Sequence, residues 1–194
     1  MKAKLKKSFK IALWVTAIIW AVFILDKLVF FADFRQLGIK PRQIEGLIGI
    51  PLSPFLHAGW GHILSNSIPL FILTFFLVLI YEKLWIQVTI FSVFLGGLCV
   101  WLLAQKNSVH IGASGVIFSY IAFILFSGIF RKSFQSIIIG LIVLFLYGGA
   151  LIRGIIPGQL GISWQGHLFG AIAGAIAAYI YRNKYKAPEN KAVQ

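Results

Sequence analysis

The stretch HIGASGVIF, residues His110 to Phe118, stands between two long apolar runs, and its centre, Gly112, Ala113, Ser114 and Gly115, is built from small residues. Beyond it the chain is apolar as far as Phe130. That is close to the roughly 20 residues that a helix needs to cross a bilayer core of about 30 Å. Small residues at the mouth of such a helix let a second backbone come close. They also leave room around the Ser114 hydroxyl, so packing and chemistry are both open readings of these few positions.

Working outward, the chain has 194 residues, of which 59% are hydrophobic and only 12% charged. With a mean hydropathy of +0.90, a soluble domain of this size has no means of hiding so much apolar surface. The sequence predicts an all-α membrane protein. Its net charge of +13 does not point to nucleic acid, because the basic residues gather at the ends of apolar runs, where they act as topology signals. The single Cys99 lies inside an apolar run and cannot form an intramolecular disulfide.

Six segments approach spanning length: Ile11 to Phe31, His62 to Ile80, Trp85 to Ala104, Ala113 to Phe130, Phe134 to Leu151 and Gly161 to Tyr181. The expected organisation is a basic N-terminal arm over residues 1–10, a six-span bundle over 11–181 and a polar tail over 182–194. The apolar run after MKAKLKKSFK has no small-residue cleavage site and reads as a retained first span, with Asp26 and Lys27 placed to pair near its end. Between spans one and two, residues 31–61 carry Pro51 and Pro54 and are expected to lie along the outer interface, with Phe55 and Trp60 suited to that depth. An even number of spans puts twelve Lys and Arg on the side of the termini and six on the other, so both termini are expected in the cytoplasm.

Polar groups inside a membrane are costly unless paired, which makes His62, Asn66, Ser114 and His167 the functional candidates. Spans two, four and six all run inward from the outer face. Ser114 lies about one residue into its span and His167 about six, which at about 1.5 Å per residue separates their backbones by less than roughly 10 Å in depth. Span six repeats Gly166, Gly170 and Gly174 every four residues, and span four offers Gly115, Ser119 and Ala122, so the two backbones can approach. A Ser hydroxyl beside an imidazole is the minimum for an activated nucleophile, with His167 as the base. His62 and Asn66 are four apart on one helix face, and together with the Ser114 N–H they supply three donors suited to an oxyanion. Taken singly, Ser114 suits a packing residue, His167 an interhelical hydrogen bond and Asn66 helix-to-helix glue. Spacing alone leaves an enzyme and a transporter both open.

The five acidic residues, Asp26, Asp33, Glu45, Glu82 and Glu189, avoid the middles of the spans, which excludes a two-carboxylate hydrolase. No H-E-x-x-H is present, and the histidines have no neighbouring carboxylates or thiolates to complete a zinc site, so no metal is expected. Nor does any Asp orient His167, and the expected site is a dyad rather than a triad.

At these residues the sequence resembles the rhomboid family of intramembrane serine proteases, in its minimal six-span bacterial form. The resemblance rests on three stretches in order: GIKPRQIEGLIGIPLSPFLHAGWGHILSN with His62 and Asn66, GASG around Ser114, and GHLFGAIAGA around His167. It covers Gly38 to Tyr181. It implies a compact bundle in a bacterial cell membrane that cleaves a peptide bond in or beside a substrate's transmembrane helix near the outer face, without cofactor or metal. It implies Ser114 as nucleophile, His167 as base, and His62, Asn66 and the Ser114 N–H as oxyanion donors. Gly112, Gly115, Phe118 and Gly170 support the site. Phe118 stands where many relatives have Tyr, and the first loop has Arg42 in KPRQ where some have a Trp-Arg pair. The inactive relatives lack the Ser or the His, and a non-catalytic protein that binds transmembrane helices is the alternative. The expected partners are transmembrane substrates and lipid, with no nucleic acid; the sequence leaves the oligomeric state open.

Overall fold

The structure is a computed structural model that describes residues 1–31, 33–82, 84–131, 134–158 and 161–184. Among the described residues lie six long helices: α1 (Lys2–Ile24), α2 (Trp60–Tyr81), α3 (Leu84–Leu103), α4 (Ser114–Arg131), α5 (Phe134–Gly154) and α6 (Trp164–Ile180). No strand occurs among the described residues, where β-type pairing is confined to an isolated bridge between Ile39 and His110. This is the all-α architecture a bilayer imposes, because a helix satisfies its own backbone donors and acceptors where water cannot. Five of the helices are long and apolar enough to cross a membrane. The sixth, α6, has 17 residues. At a rise of about 1.5 Å per residue it is about 25 Å long. The chain is a multi-pass membrane protein.

Several boundaries differ from those expected. The first helix starts at Lys2 rather than Ile11, because lysines are good helix formers and carry the helix beyond the apolar run. Its other end is a π-helical turn over Leu25–Val29. There the Asp26 carboxylate pairs with Lys27 Nζ at 2.8 Å and accepts the Phe34 N–H at 3.0 Å. The last helix starts at Trp164 rather than Gly161, because Gly161 has φ +75° and lies outside the helical region. Ser163 is the N-cap, its hydroxyl taking one of the amide donors that a helix start leaves over. The tail from residue 185 onward, together with Lys83 and Lys132, lies outside the described residues.

The loop from 33 to 59 is a series of short turns fixed to the end of α3. Arg42 donates to the Leu102 and Ala104 carbonyls at 2.7 and 2.6 Å, and Trp101 Nε1 donates to the Gln43 carbonyl at 2.7 Å. A guanidinium on the last carbonyls of a helix satisfies groups with no intrahelical partner and faces the negative end of the dipole. Arg42 thus anchors the loop without a neighbouring Trp in sequence.

The bundle is organised around α4, which packs against α2, α3, α5 and α6. Two of its hydroxyls find partners inside the bundle: Ser119 with Ser92 of α3, and Tyr120 with Thr89 at 2.6 Å. The contact with α6 is the most intimate, and small residues are what permit it. A methyl group on Gly170 would overlap the carbonyl of Gly115, and one on Gly174 would overlap that of Ser119. Gly166 contributes differently, presenting its own carbonyl to Gly115. At one end of the bundle Lys7 meets Glu82 at 3.7 Å, while Arg131 donates to the Tyr181 carbonyl at 3.0 Å. Basic residues before α1 enters the apolar run and at the end of α4 therefore share that end.

Candidate active site

The first turn of α4 holds the stretch around Ser114. Gly112 has φ +111°, a conformation that favours glycine, and its N–H donates to the Ser53 carbonyl at 2.8 Å. A Cβ added there would come within 2.5 Å of His62 Nε2, so the imidazole of α2 lies directly over the Gly112 backbone. Ser114 is the first residue of α4, and its N–H has no carbonyl one turn earlier in the helix to bind.

Hydrogen bonds fix which nitrogen of each ring carries a proton. The Ala58 N–H donates to His62 Nδ1 at 3.4 Å, so the neutral ring carries its hydrogen on Nε2, the atom nearest Gly112. Asn66 Nδ2 donates one hydrogen to the His62 carbonyl at 3.1 Å and keeps a second. His167 Nδ1 lies 2.9 Å from the Gly154 carbonyl, and a carbonyl only accepts. His167 therefore holds its proton on Nδ1, and Nε2 is the lone-pair nitrogen. No carboxylate takes part.

The His167 ring is stacked on Phe118, with centroids 4.1 Å apart and planes 12° from parallel. Offset stacking of this kind holds a ring by its face. Gly154, at the end of α5, completes the enclosure: a Cβ there would collide with the Phe118 ring and come 2.9 Å from His167 Nδ1. Gly154 has no mark in the sequence, since what it offers is a backbone carbonyl and the absence of a side chain. His57, in the loop before α2, is a second neighbour, and as a histidine matching one common in the family that the sequence resembles it does stand out in the sequence. It is 2% exposed, its ring meets that of His62 edge-on at 5.0 Å, and among the described residues its Nε2 has no hydrogen-bond partner. Burial, with the His62 ring beside it, lowers its pKa to about 4, because the charged form loses its water.

Ser114, His167, His62 and Asn66 line one cleft of about 1350 Å³ that also reaches Phe118, Tyr147 and Gly154. Helices α2 and α5 face each other across it without forming a packed interface. Among the described residues no group of His, Cys, Asp and Glu side chains is placed to hold a metal ion.

The model of the Rhomboid domain family matches residues 45–184. An uncharacterized protein of Mycobacterium tuberculosis is 45% identical over 163 residues, which are 80% of this chain and 66% of that protein. One of Mycobacterium leprae is 40% identical over 184 residues, 90% of this chain and 70% of that protein. Rhomboid-like protein 11, chloroplastic, of Arabidopsis thaliana is 29% identical over 176 residues, 78% of this chain and 61% of that protein. The chain thus spans just under two thirds of the first of these relatives.

Proposed function

The chain belongs to the rhomboid family, and on that premise we propose that it is an intramembrane serine endopeptidase working with a Ser114–His167 dyad. Ser114 Oγ attacks the scissile carbonyl as His167 Nε2 takes its proton. The oxyanion that forms is met by the His62 Nε2–H, the second Asn66 Nδ2–H and the Ser114 N–H. The intermediate collapses when His167 gives the proton to the leaving amine, and a water activated by the same nitrogen releases the acyl group. The observation that carries this reading is the His167 Nδ1–H bond to Gly154, which leaves Nε2 as a base on the cleft that Ser114 shares.

The substrate class is a transmembrane protein. A transmembrane helix gains access between α2 and α5, where the bundle has no packed interface, and its peptide bond is cut near the outer face. The protein sits in the cell membrane of a bacterium with both termini in the cytoplasm, in keeping with the basic residues gathered at one end. Neither cofactor nor metal takes part.

The test is cleavage of a reporter carrying one transmembrane helix, in proteoliposomes. Wild-type protein is expected to release two fragments, and Ser114→Ala and His167→Ala none. Intact reporter with wild-type protein would overturn the protease reading and leave a protein that binds transmembrane helices without cutting them.

A further inference from the structure

Two side chains outside the reacting set meet near it. His110 lies in the loop between α3 and α4, four residues before Ser114, and Ser163 caps α6 four residues before His167. His110 Nδ1 and Ser163 Oγ are 2.6 Å apart, and the imidazole is 6% exposed. The other ring nitrogen, Nε2, is 2.8 Å from Ser108 Oγ.

The direction of every bond in this series follows from its two ends. Ser108 Oγ is 2.5 Å from the Gln105 carbonyl, which only accepts, so the Ser108 proton goes there and its oxygen receives the His110 Nε2–H. Burial holds the His110 pKa at about 4, so the ring is neutral near pH 7 and offers a lone pair at Nδ1. Ser163 Oγ–H donates to that lone pair, while the same oxygen accepts the Gly166 N–H at 3.2 Å. From the α6 backbone through Ser163, His110 and Ser108 to Gln105, each donor is used and each bond polarises the next in one sense.

The backbone around His110 is held as firmly. His110 and Ile39 exchange two hydrogen bonds, both 3.0 Å. The segment leading to Ser114 is therefore tied to the first loop by its backbone and to the cap of α6 by a side chain. The glycine contacts between α4 and α6 set how close the helices come. Smooth small-residue faces do less to fix how far one helix slides along the other, whereas a directional bond at the helix ends fixes that register.

We propose that His110 and Ser163 form a positioning pair that sets the axial register between the Ser114 and His167 backbones. The inference rests on the dyad proposed above. The pair touches neither scissile bond nor oxyanion and acts only through the two segments it joins. Its loss lowers the rate of the chemical step and leaves probe binding in place, because effective molarity at a nucleophile and base depends on sub-ångström placement.

The test follows the kinetics of fluorophosphonate labelling of the full-length protein in detergent, with thermal unfolding of each variant measured alongside. His110→Ala and Ser163→Ala are each expected to lower the limiting labelling rate about tenfold, as loss of one buried hydrogen bond can. Half-saturating probe concentration is expected to stay within about twofold of wild type, as an effect confined to the chemical step requires. The double variant is expected to be no slower than the slower single one, since both remove the same bond. Ser163→Thr keeps the hydroxyl and the cap and is expected to retain roughly half the wild-type rate or more, as a Thr N-cap allows. Single variants at the wild-type rate, or a double variant whose loss is the product of the two, would overturn the pair while leaving the dyad intact. A wild-type protein that is never labelled would overturn both. Should His110→Ala not fold, Ser163→Ala against Ser163→Thr decides alone: equal rates would contradict the pair.

Discussion

His167 donates its Nδ1–H to the backbone carbonyl of Gly154 at 2.9 Å, so the candidate base is oriented by a peptide group at the end of α5 rather than by a carboxylate. A carbonyl fixes the tautomer as well as an aspartate does. It carries no full charge, and so stabilises an imidazolium less. In a bundle with no acidic residue in the middle of a span, that is the orienting group the chain has to offer.

The first prediction concerns Gly154 itself. A methyl group there meets the Phe118 ring and comes 2.9 Å from His167 Nδ1, where the two rings are already stacked on each other. Gly154→Ala is expected to lower the fluorophosphonate labelling rate by about a hundredfold, the scale on which misplacing a reacting group by about 1 Å acts. Circular dichroism should show the helical content unchanged.

The second separates ring from hydroxyl at Phe118. Its face is stacked on His167 at 4.1 Å, so Phe118→Ala frees the imidazole to rotate, whereas Phe118→Tyr keeps the stack. Alanine is expected to cost about tenfold or more in cleavage rate, and tyrosine less than about threefold, from the roughly 0.5–1.5 kcal/mol scale of aromatic pairing plus lost packing. Equal losses in a cleavage assay would refute a role for the stack.

The third tests the α4 to α6 contact. A side chain on Gly170 would overlap the Gly115 carbonyl, and one on Gly174 the Ser119 carbonyl. Each Gly→Ala is expected to destabilise by about 1–3 kcal/mol, the usual cost of overfilling a packed interface, and Gly170→Leu to separate the helices and abolish cleavage. Differential scanning fluorimetry in detergent reads the first effect and reporter cleavage the second.

The fourth concerns pH. Burial lowers the pKa values of His57 and His110, both outside the spanning helices, from 6.5 to about 4. The folded protein thus binds fewer protons than the unfolded chain between these values, and stability is full above about 6.5 and lost as pH falls towards about 4. At pH 5 the loss is about 2 kcal/mol per histidine relative to pH 7. The melting temperature is expected to drop between pH 7 and pH 5, and His57→Asn to flatten that drop.

The residues proposed to carry the chemistry are those whose side chains stand out in the sequence. Ser114, His167, His62 and Asn66 are polar groups in apolar helices that run the same way, so their common depth follows from counting along each span. The small-residue faces of α4 and α6 follow from helical spacing in the sequence, although Gly166 contributes its carbonyl. Gly154 could not be read because its role belongs to a backbone oxygen, which every residue has. The anchoring of Arg42 and the bond between His110 and Ser163 join positions 62 and 53 residues apart in sequence, and only the fold supplies that proximity. Boundaries differ at α1 and α6 for a related reason: hydropathy marks what lipid covers, whereas helices end at caps and turns.

The most direct test of the central claim is to locate the fluorophosphonate adduct by mass spectrometry on the full-length protein in detergent. A single adduct is expected on Ser114, formed by wild type and greatly slowed in His167→Ala. An adduct on another serine, or labelling of Ser114 at an undiminished rate without His167, would contradict it.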